Sequence, residues 1–94
     1  IVAIDVSKLT TLTKYLVICH GETDNHNKAL ADEVHFKLKK EKILPFGIEG
    51  YPDSGWIILD YGFVIVHIFS KELREFYRLE RLWGQGEFLN LTSE

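Results

Sequence analysis

The 94-residue sequence has one cysteine, two prolines, no methionine and no surplus of positive charge. Each scarcity excludes something. A lone Cys19 cannot close an internal disulfide, which fits a reducing compartment. No apolar run approaches the roughly 20 residues that a membrane-spanning helix needs, and no secretory leader pattern is visible, so no membrane contact is expected. The sequence opens on Ile1 with no methionine anywhere, which reads as a native start trimmed away. The net charge is −3, and it is unevenly spread: seven lysines face six acids over 1–46, whereas four cations face eight acids over 47–94. Binding to a phosphate backbone runs on a surplus of Lys and Arg. Direct DNA binding is therefore not expected, and a basic protein suits this chain better than bare RNA as its main partner.

The usual catalytic constellations are also missing. Nucleotide transfer needs a Gly-Ser pair to hold phosphate and paired carboxylates, typically Asp-x-Asp, to hold magnesium. Asp5 has Ala3 and Ser7 two residues away on either side, Asp60 has Ile58 and Gly62, and no Gly-Ser pair occurs. His20, His26, His35 and His67 show no metal-ligand spacing. His20 and His67 fall on predicted strands, where a satisfied structural histidine competes with a functional pair. Cys19 in YLVIC has neither base nor orienting group near it in sequence, so it reads as a small buried residue rather than a nucleophile. No catalytic residue, cofactor or metal is expected.

What is present concentrates between Gly55 and Gly84. Two near-continuous apolar runs, Trp56–Leu59 and Phe63–Phe69, are joined by Asp60, Tyr61 and Gly62, and an aromatic helical segment ending in Trp83 follows. Short apolar runs bounded by turn residues read as strands with both faces covered. Upstream, Ile1–Val6 and Tyr15–Cys19 read as strands. Thr23 or Asp24 caps a helix whose Leu30, Ala31, Val34 and Leu38 share one face, and Pro45 ends it. Phe46–Glu49 reads as a short strand. Ser70 caps a second helix, stopped by Gly84, on which Leu79, Leu82 and Trp83 are expected to seat against the sheet. The sum is α/β, α+β-like: a mixed sheet of about five strands with two helices, side by side on one face. The other face then needs cover from elsewhere.

Trp56, Tyr61 and Tyr77 each admit two readings. Aromatics dominate cores, yet Trp and Tyr also anchor protein interfaces through a large apolar body with a polar tip. Glu49, Asp60 and Glu80 stand beside them in sequence, and carboxylates rimming an apolar patch suit a basic partner protein.

The order GIEG, W-x-x-x-D-Y-G, V-H-I-F and Y-x-L-E-x-L-W, with IVAIDV, YLVI–G and ADEV upstream, resembles the ribosomal silencing factors, also called the RsfS or Iojap family. The resemblance covers about residues 1–84 as a single silencing-factor domain, leaving 85–94 as a flexible tail. It implies a helical segment before the first strand that this sequence does not include, and a fold similar to that of nucleotidyltransferases. A nucleotidyltransferase-like nucleotide binder is thus the alternative reading. The resemblance also implies a non-enzymatic repressor of translation, linked to late ribosome assembly. Such a protein docks on the large ribosomal subunit through its ribosomal protein of the L-fourteen family and blocks joining of the small subunit. A homodimer is a further expected partner arrangement. On this reading Trp56, Tyr61 and Tyr77 are apolar anchors, and Glu49, Asp60 and Glu80 pair with Lys or Arg on the partner. Lys14 and Phe63 stand where the family usually has Asp, and the basic residue often found at Asn25 is missing. The changed charges alter the expected rim, and Phe63 adds an aromatic to it.

Overall fold

A computed structural model describes residues 1–50 and 55–89. The strands are β1 (Val2–Asp5), β2 (Tyr15–Gly21), β3 (Gly47–Glu49), β4 (Trp56–Asp60), β5 (Val64–Ser70) and β6 (Glu87–Phe88). They form one six-stranded sheet in the order β3-β4-β5-β2-β1-β6. β2 and β5 pair in parallel at its centre and the other pairs are antiparallel. The helices are α1 (Asp24–Lys40), α2 (Lys71–Tyr77) and α3 (Leu79–Leu82).

α1 begins where expected. The Thr23 hydroxyl accepts the backbone N–H of His26, and Asp24 sits in the positive first turn. Lys37, Lys39 and Lys40 occupy the negative last turn. A buried amide fixes how β2 runs into this helix. The Asn27 Oδ1, 1% exposed, accepts the Gly21 N–H at 2.8 Å. A Cβ at Gly21 would stand 2.5 Å from that oxygen, so only glycine lets strand and helix approach this closely. Leu30, Ala31, Val34 and Leu38 then pack on Ile57, Leu59, Val66 and Ile68, the alternate residues of β4 and β5. Full burial of an aliphatic side chain such as Leu59 or Ile68 stabilises the fold by about 1.5–3 kcal/mol.

The other residues of the same strands face the opposite way. Ile4, Val6, Leu16, Ile18 and Phe69 form a second cluster, covered by Leu73, Leu79 and Trp83. The two helices expected side by side are therefore on opposite faces, because the strands present apolar side chains both ways. The second helix is also not continuous. α2 ends on Arg78 in the left-handed region (φ 48°, ψ 54°), and α3 starts there. This break turns Leu82, expected to seat against the sheet, out to 72% exposure. Leu79 and Trp83 do pack inward.

The sheet has one strand more than expected. Glu87 and Phe88, placed in a flexible tail on sequence grounds, pair with Asp5 and Ile4 and make β6. Gly86 permits it, since a Cβ there would lie 2.5 Å from the Ile4 side chain. Residues 90–94 of that tail lie outside the described residues.

Candidate functional site

The strand pairings set three rows across the face that α2 and α3 cover. One row runs Glu49, Ile58, His67, Ile18, Val2. The next runs Gly47, Asp60, Ile65, Leu16, Ile4. The third holds Trp56, Phe69 and His20. The helical arm covers the right-hand part of each row, where Leu16, Ile18, Ile4 and Phe69 are buried. It reaches past β5 only at Trp56. From β5 to the β3 edge the face is open, as a concavity of about 380 Å³ lined by Phe46, Gly47, Glu49, Ile58, Asp60, Ile65 and His67.

This open end combines an apolar floor with acidic sides. Ile58 and Ile65 are half-buried, and Glu49 is exposed on the edge strand. Phe46, 84% exposed, lies over Gly62 of the β4–β5 turn, where a Cβ would stand 2.7 Å from its ring. Asp60 holds the same turn, its Oδ1 accepting the Gly62 N–H at 2.8 Å while its second oxygen remains for a partner. Phe63 at the turn is 56% exposed and adds a second aromatic there.

Beside His67, towards α2, stands an aromatic stack. The Trp56 ring stands 4.8 Å from Phe69, 4.9 Å from Tyr77 and 5.8 Å from His67, centroid to centroid. Its Nε1–H donates to His67 Nδ1 at 3.0 Å, which places the neutral imidazole's proton on Nε2. Burial pulls the His67 pKa down from 6.5 to about 4, so the ring is uncharged at neutral pH.

The sequence-predicted residues divide. Glu49 and Asp60 come together on the open end, whereas Trp56 and Tyr77 stack beside it, past His67 and outside its lining, Tyr77 at 46% exposure. Tyr61 does not belong there. It is 4% exposed and packs in the α1 cluster on the opposite face, so it is a core residue and cannot anchor a partner. Its parity explains this: one residue beyond Asp60, it points the other way. Its hydroxyl has no hydrogen-bond partner among the described residues, and burial raises its pKa. Glu80 lies in α3, but its side chain lies outside the described residues. Sequence reasoning missed Phe46, Ile58, Ile65 and His67 as lining. The period-2 pattern held the signal for three of them, because Ile58, Ile65 and His67 share the face of Asp60 and Trp56.

The other candidates are occupied locally or stand apart. His20 and His67 share a face but have different partners, Arg74 and Trp56. Asp5 Oδ1 accepts both the backbone N–H and the hydroxyl of Ser7, bonds that hold its pKa down. Three strand spacings, on the order of 14 Å, separate it from Asp60, too far for one magnesium ion to bridge. Among the described residues no group of three or more His, Cys, Asp or Glu could hold a metal ion. No helix there is long and apolar enough to cross a membrane.

Known proteins match this chain over nearly its whole length. The family model "Ribosomal silencing factor during starvation" matches residues 1–93. The ribosomal silencing factor RsfS of Bacillus subtilis is 34% identical over 91 residues, covering 97% of this chain and 77% of that protein. A mouse protein named "Mitochondrial assembly of ribosomal large subunit protein 1" is 35% identical over 82 residues, covering 81% of this chain and 35% of its own. A crystal structure of a Chromobacterium violaceum protein superposes with a TM-score of 0.84 at 34% identity, covering 98% of this chain and 76% of that one. Family model, relatives and fold agree: the chain belongs to the ribosomal silencing factor family.

Proposed function

We propose that this protein docks the open end of its sheet on a basic protein of the large ribosomal subunit, the ribosomal protein of the L-fourteen family. Bound there, it prevents the small subunit from joining and so represses translation. One observation carries the reading: an apolar concavity over β3, β4 and β5, with Glu49 and Asp60 on it, lies beyond the reach of the helical arm. Carboxylates beside an apolar floor give a Lys- or Arg-rich partner both steering and register. Family membership supplies the ribosome, and the large subunit is named in the mouse relative. No bond is made or broken in this scheme. A footprint of about 800 Å² on each partner is the usual scale of specific binding. A homodimer through the same face would compete with docking.

Co-sedimentation tests the proposal. Purified large subunits, with and without small subunits, are incubated with the chain across a salt series and separated on gradients. The expected result is co-migration with large subunits and fewer joined ribosomes as the chain is added. Co-migration with joined ribosomes, or none with large subunits, contradicts it. Repeating the assay across chain concentrations reads out competition from a dimer.

A further inference from the structure

The largest concavity among those described lies away from the docking face and is cationic. It measures about 560 Å³ and is lined by His20, Lys71, Arg74, Glu75, Arg78 and Arg81. All three arginines of the chain are in this set, and its fourth cation is the only lysine after residue 42. In a chain of net charge −3, whose residues 47–94 carry twice as many acids as cations, this is complete sorting. Lys71 and Arg74 lie on α2, Arg78 at the left-handed break and Arg81 on α3, so the groove follows the bend of the arm.

The groove is held by specific contacts. An Arg74 Nη1 donates to His20 Nδ1 at 2.8 Å, since a guanidinium has no acceptor, and this orients Arg74 over β2. Arg78, in its left-handed conformation, donates Nε–H to the Glu75 carbonyl at 3.1 Å. Among the described residues of the lining, Glu75 is the one acid beside four cations. Across the sheet order β4-β5-β2, the Tyr77 flank of α2 meets Trp56 on β4 while the Arg74 flank meets His20 on β2. One short helix thus separates an acidic, apolar surface from an arginine-lined one.

Arginine's planar fork matches phosphate oxygens in pairs, and phosphate contacts orient a protein without reading sequence. We propose that this groove binds the phosphate backbone of structured RNA, clamping the protein's orientation while the opposite flank of α2 grips a basic protein. The partner surface rests on the docking reading above, but RNA binding by the groove can be measured without it. A ribosomal subunit offers both chemistries side by side. The acidic chain as a whole is repelled by RNA, so contact is confined to the one place where the charge is reversed.

The test uses the full chain and the variant Arg78→Asn/Arg81→Gln, asparagine being tolerated in the left-handed conformation. Circular dichroism and a melting curve first confirm equal folding. A fluorescein-labelled 20-nucleotide RNA hairpin is then titrated at low salt, with inorganic tripolyphosphate as competitor. The wild-type chain is expected to bind the hairpin and the variant to bind about fivefold or more weakly, each lost phosphate contact lowering the salt slope by about one. On large subunits, a slope lower by about two means that from 50 to 200 mM salt the variant loses roughly 16-fold less affinity than wild type. Equal hairpin binding by both chains, or none by either, overturns the proposal whatever the subunits do. Tight one-to-one tripolyphosphate binding without hairpin binding also overturns it, in favour of a small polyphosphate ligand. Failure to bind large subunits, with the hairpin result intact, overturns the docking proposal and leaves the groove standing.

Discussion

The two faces of this sheet are built from the same strands yet finished differently. On one face the 17-residue α1 lays Leu30, Ala31, Val34 and Leu38 over β4 and β5, and Leu59 and Ile68 reach 0% exposure. On the other, an arm broken at Arg78 seats Leu73, Leu79 and Trp83 on the inner strands and reaches past β5 only at Trp56. The first face is a closed core. The second is half core and half surface, and the surface half carries Glu49, Ile58 and Asp60. Helix length and the left-handed turn decide this division, since strand composition is nearly the same on both sides. A face left unfinished costs stability, and its retention is what a docking surface would need.

The sharpest break in the comparison comes from truncating neighbouring residues of one strand. Leu59→Ala on the closed face should lose about 2–5 kcal/mol through lost transfer energy and a residual cavity. Ile58→Thr, one residue away on the open face, should lose about 1 kcal/mol or less and act mainly on docking. Denaturant melts of the two variants measure both. Equal losses would mean that the open end is as packed as the core.

Next in size is a pH effect confined to the second face. His67 titrates at about 4 in the folded chain against 6.5 ordinarily. Between those values the unfolded chain binds the proton more readily. The stabilisation is therefore complete above pH 6.5 and is lost as pH falls towards 4, by up to about 3 kcal/mol. His67→Phe should flatten stability across that window, read by melts at half-unit pH steps. A smaller effect belongs to the first face: Thr23→Ala removes the cap of α1 and should lose about 1 kcal/mol at every pH. The smallest is Tyr61→Phe, which deletes a buried hydroxyl that has no partner among the described residues. Its stability should change by no more than about 0.5 kcal/mol or rise slightly, and docking should be unaltered.

Much of this fold was legible in the sequence. Thr23 and Ser70 marked helix starts because their hydroxyls cap them, and the apolar runs at Trp56 and Phe63 marked the hairpin because only covered strands tolerate such runs. Periodicity cannot say which face a helix packs on, so the two helices were expected together. Nor does it show a left-handed arginine, and a two-residue strand such as β6 leaves no period at all. In the candidate site, Glu49 and Asp60 were singled out from their acid–aromatic surroundings and share one concavity, while Tyr61 was misplaced by attending to residue type over strand parity. The arginines at positions 74, 78 and 81 were visible as residues, but a negative total charge averaged them away and the break at Arg78 left no period to gather them.

The central claim is that the open end grips a basic protein while the closed face only holds the fold. Binding of Glu49→Lys to the purified large-subunit protein of the L-fourteen family tests it most directly, because Glu49 is exposed at the sheet edge and its replacement spares the core. The account predicts a melting curve within about 2 °C of wild type and affinity lower by about tenfold or more. Unchanged affinity in this variant, with wild type binding tightly, would contradict it and move the interface elsewhere.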